Sequence, residues 1–170
     1  MIAPGPARRL FDGRHLPFVK SPRYMREASL GSGRALFMTS AEVAFLKGRP
    51  NVRIGAHSHF HDVTLTDFLP KKPNSLWKRE RLCGCPDPAT RALAIRSRLA
   101  YRGCACRGGR LVRRTLGEWL DFVRRDTERC LEWCQAHLGF QPTLYCLPFN
   151  EYSAPLLEVL KAFGFSEFFG

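Results

Sequence analysis

Residues 115–138 carry the strongest periodic pattern in the chain, and they fix what the flanking segments can be. Thr115 and Glu118 stand in the T-x-x-E arrangement of a capping box. Leu116, Leu120, Val123, Cys130, Leu131, Cys134 and Leu138 recur at helical spacing and form one apolar stripe, flanked by Trp119 and Trp133. Gly139 suits the left-handed position after a helix, and Pro142 blocks continuation. Residues 143–147 (TLYCL) then read as a buried strand ending at Pro148-Phe149-Asn150. Ser153 caps a second helix, with Pro155 in its first turn and Gly164 after its end, and Phe165 begins a further strand. Upstream, residues 34–39 (RALFMT) and 52–56 (VRIGA) read as strands around a short helix from Ser40 to Lys47. Strands alternating with helices predict an α/β fold with parallel strands, in which loops at the carboxyl ends of strands carry the chemistry.

The pattern breaks between residues 62 and 114. This stretch holds Pro70, Pro73, Pro86 and Pro88 and four of the seven cysteines, and reads as an insertion into a single domain spanning 1–170. A helix over residues 88–101 is the one element expected within it. The stretch is also the most basic part of a chain whose net charge is +12: it carries thirteen Lys/Arg against four Asp/Glu, while residues 115–170 carry four against eight. Such a surface attracts anionic polymers, although a solvated arginine-rich face would show the same balance. The first nine residues (MIAPGPARR) lack the apolar core of a secretory signal, and no run of about 18 apolar residues marks a membrane span. The expectation is a cytoplasmic chain, or one whose natural start lies elsewhere.

Three of the five histidines fall in His57-Ser58-His59-Phe60-His61, directly after the strand at 52–56. Neutral imidazole is a common zinc ligand. His57 and His61 meet on one side if the loop turns helically, whereas an extended segment would align all three. Pro148-Phe149-Asn150 also lies at a strand end and is expected to share the same rim.

These residues carry a resemblance. Residues 54–62 (IGAHSHFHD) resemble the metal-binding motif of the polysaccharide deacetylases (carbohydrate esterase family 4, NodB homology), which follows a strand ending in I-G and reads H-[ST]-x-x-H. Residues 35–39 (ALFMT) are similar to that family's A-T-F-F-V strand, and residues 145–165 (YCLPFNEYSAPLLEVLKAFGF) to its F-x-x-P-[YF]-G-x-Y strand, loop and helix. The resemblance implies an incomplete, distorted (β/α) barrel. It also implies a metal-dependent hydrolase that removes N-acetyl or O-acetyl groups from an amino-sugar polymer, acting on carbon–nitrogen bonds other than peptide bonds. His57 and His61 would hold a divalent ion, zinc being the expected one, with Pro148, Phe149 and Asn150 along the substrate groove. In the family's T-F-D-D-G motif one aspartate is the base and the next a metal ligand. The only counterpart is Leu10-Phe11-Asp12-Gly13, where Asp12 takes the ligand position without a gap and the base position with a one-residue gap. Backbone N–H groups near residues 146–149 would help hold the oxyanion. The family's groove arginine is absent, and its last motifs, which include the acid histidine, would fall beyond Gly170; His137, at the end of the long helix, is not expected to replace it. The chain thus reads as a truncated or divergent member.

Cys83-Gly-Cys85 and Cys104-Ala-Cys106 form a C-x-C…C-x-C pattern. Four thiolates so spaced would make a structural zinc site that staples the basic insertion. Free thiols in a loop are the alternative. Cys130, Cys134 and Cys146 lie on apolar stripes or strands and are expected in the core. The insertion also supports a rival reading, in which a catalytically inactive protein of this fold binds glycan or nucleic acid through basic residues, Trp77 and Tyr101.

Overall fold

The computed structural model describes residues 38, 40–70, 74, 78, 79, 82, 85, 86 and 88–170. The strand expected at 34–39 and Asp12 lie outside the described residues, apart from Met38. The first described helix, α1 (Ser40–Lys47), ends where the Gly48–Pro50 stop places it, with Ser40 as its first residue. Four short strands follow: β1 (Val63–Thr66), β2 (Ala94–Ser97), β3 (Cys104–Arg107) and β4 (Arg110–Arg113). Then come α2 (Leu116–Leu138), β5 (Leu144–Cys146), α3 (Ala154–Ala162) and β6 (Glu167–Phe169).

The second half of the chain folds as its pattern dictates. Thr115 caps α2 by accepting from the Glu118 N–H, the Glu118 carboxylate accepts from the Thr115 N–H in return, and Gly139 closes the helix at φ 70°. Lys47 of α1 donates to the orphan Leu138 carbonyl at 2.7 Å, placing a cation at the negative end of α2. Strands β5 and β6 pair in parallel across α3, with Tyr145 opposite Phe168. The segment at 52–56 joins the other side of β5 through one parallel bridge, Ala56 to Tyr145, closed by Ala56 N–H to Leu144 O at 2.9 Å and Cys146 N–H to Ala56 O at 2.8 Å. Gly55 is required there, because a side chain would collide with Leu144. The main core lies between these strands and the helices: Trp119, Phe122, Val123, Leu131, Tyr145, Leu147, Leu156, Leu160 and Phe165 are all buried, as are Cys130 and Cys134. Cys146 is half-buried rather than buried.

The second half of the insertion corrects the expectation of a helix over residues 88–101. Only Pro88–Arg91 forms a single 3₁₀ turn, and Ala94–Ser97 is a strand. The insertion holds an antiparallel sheet of order β2-β1-β3-β4, with Val63 opposite Ser97 and Thr66 opposite Ala94. Pairing of β2 against β1 along its whole length overrides the helical preference of the alanine- and arginine-rich run. The architecture is therefore α/β, with a small parallel layer and an antiparallel sheet inserted before the long helix.

Candidate functional site: the histidine loop

The chain leaves the β5 ladder at Ala56 and turns sharply. Ser58 and His61 both have left-handed backbone, at φ 76° and 49°. Residues with a β-carbon hold such a conformation only where surrounding bonds over-determine it. Those bonds come from Asp126, fully buried in the middle of α2. Its carboxylate accepts from Ser58 Oγ at 3.0 Å, His59 N–H at 3.2 Å and Phe60 N–H at 2.8 Å. Ser58 Oγ in turn accepts from the His61 N–H at 2.9 Å. One hydroxyl thus donates to the helix and accepts from the loop, which explains the need for a hydroxyl directly after His57. Burial raises the Asp126 pKa from its ordinary value, against the pull of the donors at Phe60, His59 and Ser58.

The turn sorts the three histidines. His57 and His61 face each other with ring centroids 5.0 Å apart, while His59 is turned onto the edge of Phe60 at 4.8 Å. Of the two geometries open to the sequence, the structure adopts the turned one. His57 Nδ1 lies 2.8 Å from the Cys146 carbonyl oxygen. A carbonyl only accepts, so Nδ1 carries a proton, and in the neutral ring Nε2 is the atom left to ligate. This second contact orients a ligating imidazole in metal sites generally. The Phe149 ring lies 4.6 Å from that of His61, so the turn Pro148–Asn150 does share the rim of the histidine loop. Pro148 is buried, and Phe149 and Asn150 have left-handed backbone at φ 62° and 55°. Glu151, just beyond, accepts from the Ser97 N–H at 2.6 Å and pairs with Arg96 at 3.1 Å, locking this turn to β2.

One expected group is directed elsewhere, and His137 lies away from the site as expected. The N–H groups of Cys146 and Leu147 are used in pairing with Ala56 and Phe169, and Pro148 has none, so these three positions supply no oxyanion donor. His137 stacks on Trp133 at 4.5 Å and bonds to its carbonyl, at the far end of α2. Among the described residues no group of three or more His, Cys, Asp or Glu forms a metal cluster, so any third protein ligand to the histidine pair lies outside them, where Asp12 also lies. Cys85 and Cys106 are joined as a disulfide, which takes both sulfurs out of the thiolate set expected of a structural zinc. Cys104 stays free and packs against Val63, Leu65 and Ile95, with burial raising its thiol pKa, and Cys83 lies outside the described residues.

Asp126 is the functional residue that pattern reading passed over. Its signal is present: it stands three residues after Val123 and four before Cys130, on the stripe that should be apolar. A carboxylate on the core face of a helix has a polar partner to meet.

No family model matches the chain, and no curated protein matches it by sequence. Solved structures do. The deacetylase domain of BpsB from Bordetella bronchiseptica superposes with a TM-score of 0.57 at 17% identity, over 81% of this chain and 43% of that one. A de-N-acetylase from Aggregatibacter actinomycetemcomitans superposes with a TM-score of 0.57 at 14% identity, over 81% of this chain and 42% of that one. The chain therefore has the fold of a deacetylase domain and spans less than half the length of these two structures.

Proposed function

We propose that this chain is a metal-dependent deacetylase that removes acetyl groups from an amino-sugar polymer, its site built on His57 and His61. The observation that carries the reading is the paired, pre-oriented state of the two imidazoles, next to the bridge at Ala56, in a deacetylase-type fold. The donor set fits a divalent ion, zinc above all, because two neutral imidazoles with one carboxylate leave coordination positions open for substrate and water. Such an ion, when bound, supplies polarisation of the acetyl carbonyl and acidification of a water molecule.

The chain's own residues do the rest. The Cys146 carbonyl fixes the His57 tautomer. Asp126 and Ser58 hold the backbone turn that brings His61 round to His57. Phe149 walls one side of His61 and belongs to the turn expected to line the groove, so the sugar would lie along Pro148, Phe149 and Asn150. Asp12 is the candidate third ligand, or the base that removes the water proton. An incomplete, distorted (β/α) barrel around this rim belongs to the same reading.

Acetate release is the direct test. The zinc-loaded full chain should liberate acetate from an N-acetylglucosamine oligomer, and His57→Ala should abolish release while leaving the far-ultraviolet circular dichroism unchanged. Release that survives in both His57→Ala and His61→Ala would overturn the site assignment. No release from any N- or O-acetylated glycan tried would overturn the activity.

A further inference from the structure

Two cavities meet at the ion pair between Asp62 and Arg98, whose Nη1 to Oδ2 distance is 2.8 Å. The larger, about 450 Å³, is lined by Arg79, Arg91, Arg98 and Arg114, with Asp62 as the only acid among its described lining residues. The smaller, about 370 Å³, lies on the other side of the pair, against Phe60, Phe122, Arg125 and Arg129. Six arginines thus surround one carboxylate, and that carboxylate directly follows His61 in the chain.

Arg79, Arg91, Arg125 and Arg129 are exposed at the edges of this region, and its centre is partly buried. Arg98 and Asp62 have side chains only 24% and 25% exposed. Arg98 Nε is buried and has no hydrogen-bond partner among the described residues. Arg114 is held inward by its bond to Thr64 Oγ1 at 2.6 Å, and burial, then the nearby Arg98 charge, lower its pKa. Like charges gathered in partly desolvated space cost free energy, which a bound anion would offset. A cavity of this volume is in the range that takes a small-molecule-sized group.

We propose that the two cavities form one subsite for an acidic sugar chain, gripped by Arg91 and Arg114 on one side of the Asp62–Arg98 pair and by Arg125 and Arg129 on the other. The choice of a glycan rests on the deacetylase reading, since the subsite begins one residue beyond His61. The aromatic rings point the same way. Single-stranded nucleic acid is held by bases stacked on open aromatic faces. Here Arg98 lies 3.8 Å over Phe122, Arg129 5.5 Å over Phe60 and Lys78 4.3 Å over Phe149. Cations already cap these three rings, and Tyr101 meets Phe68 edge to face.

The test is calorimetric titration of the full chain, without added metal, using four probes: an oligogalacturonate, a heparin-derived hexasaccharide, neutral chitohexaose and a single-stranded DNA 12-mer. An acidic glycan should bind, whether through carboxylate alone or through sulfate as well, and more tightly than chitohexaose. Arg91→Glu and Arg125→Glu should each weaken that binding about tenfold, while Arg124→Glu, the same charge change on an exposed residue outside both cavities, should weaken it less than about twofold. Arg91→Lys should restore most of the loss, which excludes misfolding as the cause. Equal weakening by Arg124→Glu would show diffuse attraction and overturn the subsite, as would DNA binding more tightly than either acidic glycan. The deacetylase reading fails separately: a His57→Ala/His61→Ala chain should keep acidic-glycan binding, and acetate release restricted to neutral glycans would leave the activity standing and the subsite refuted.

Discussion

The two halves of this molecule are stabilised in different ways. The unit of α2, β5, α3 and β6 buries large apolar side chains around Tyr145, Leu156, Leu160 and Phe165. The inserted sheet buries Val63, Leu65 and Ile95, and fills the rest of its central strand with Thr64 and Thr66. Thr66 Oγ1 donates to the Ala94 carbonyl at 3.1 Å, and Arg114 reaches Thr64. A disulfide ties Cys85 to β3. One half stands on a large apolar core, the other on a smaller apolar cluster joined by polar pairs and a crosslink. The histidine loop lies between them, drawing its anchor from the first and leading directly into the second.

The sharpest way to break this comparison is at the anchor. Asp126→Ala leaves Ser58 and two loop N–H groups without their acceptor and should cost about 3 kcal/mol in urea unfolding. Asp126→Asn, which keeps a carbonyl acceptor, should cost less. A change below about 0.5 kcal/mol for the alanine variant would mean that the loop holds itself. Next is Gly103→Ala. Gly103 sits at φ 59° against the Thr64 side chain, so an added methyl group is strained both in backbone and in space. A loss of about 2 kcal/mol is expected, and hydrogen exchange should place it in β1 and β3 while α2 stays protected. Cys85→Ser should behave alike, at about 2 kcal/mol, and reduction of the parent chain should reproduce it. Uniform loosening of α2 in either variant would show that the halves unfold as one.

The smallest effect belongs to the cap of α2. Thr115→Ala should cost about 1 kcal/mol. The Thr115 backbone N–H, with the Thr115 hydroxyl and Arg107, holds the Glu118 carboxyl below its ordinary value of 4.5. A depressed acid stabilises the fold above that value and ceases to as pH falls through its lower folded value. The contribution of the Glu118 carboxylate should thus be complete at neutral pH and fade below about pH 4, as thermal melts across that range would show.

How much of this was readable in the residues follows the same division. The helices Ser40–Lys47, Leu116–Leu138 and Ala154–Ala162 announce themselves through caps and periodicity, because each has a defined start and stop. The pairing of His57 with His61 is implicit in their spacing, although the exclusion of His59 depends on the backbone at Ser58. The inserted sheet was not legible. Val63–Thr66 alternates apolar and polar residues over only four positions, too short a run to mark a strand, and Ala94–Ser97 sits in a run with helical preference. Their strand state is imposed by partners up to some forty residues away, Leu65 against Cys104 among them. Asp126 was legible only as an anomaly, since its partners are backbone groups of a loop sixty-odd residues earlier.

The central claim is that His57 and His61 hold a divalent metal, and metal content measures it directly. Elemental analysis of the purified full chain, beside a His57→Ala/His61→Ala variant and a Cys83→Ser/Cys85→Ser variant, should show about one equivalent of zinc or a similar ion that the histidine variant alone lacks. Equal metal in the parent and histidine variants, or none in either after zinc loading, would contradict the account and leave the fold without its proposed chemistry.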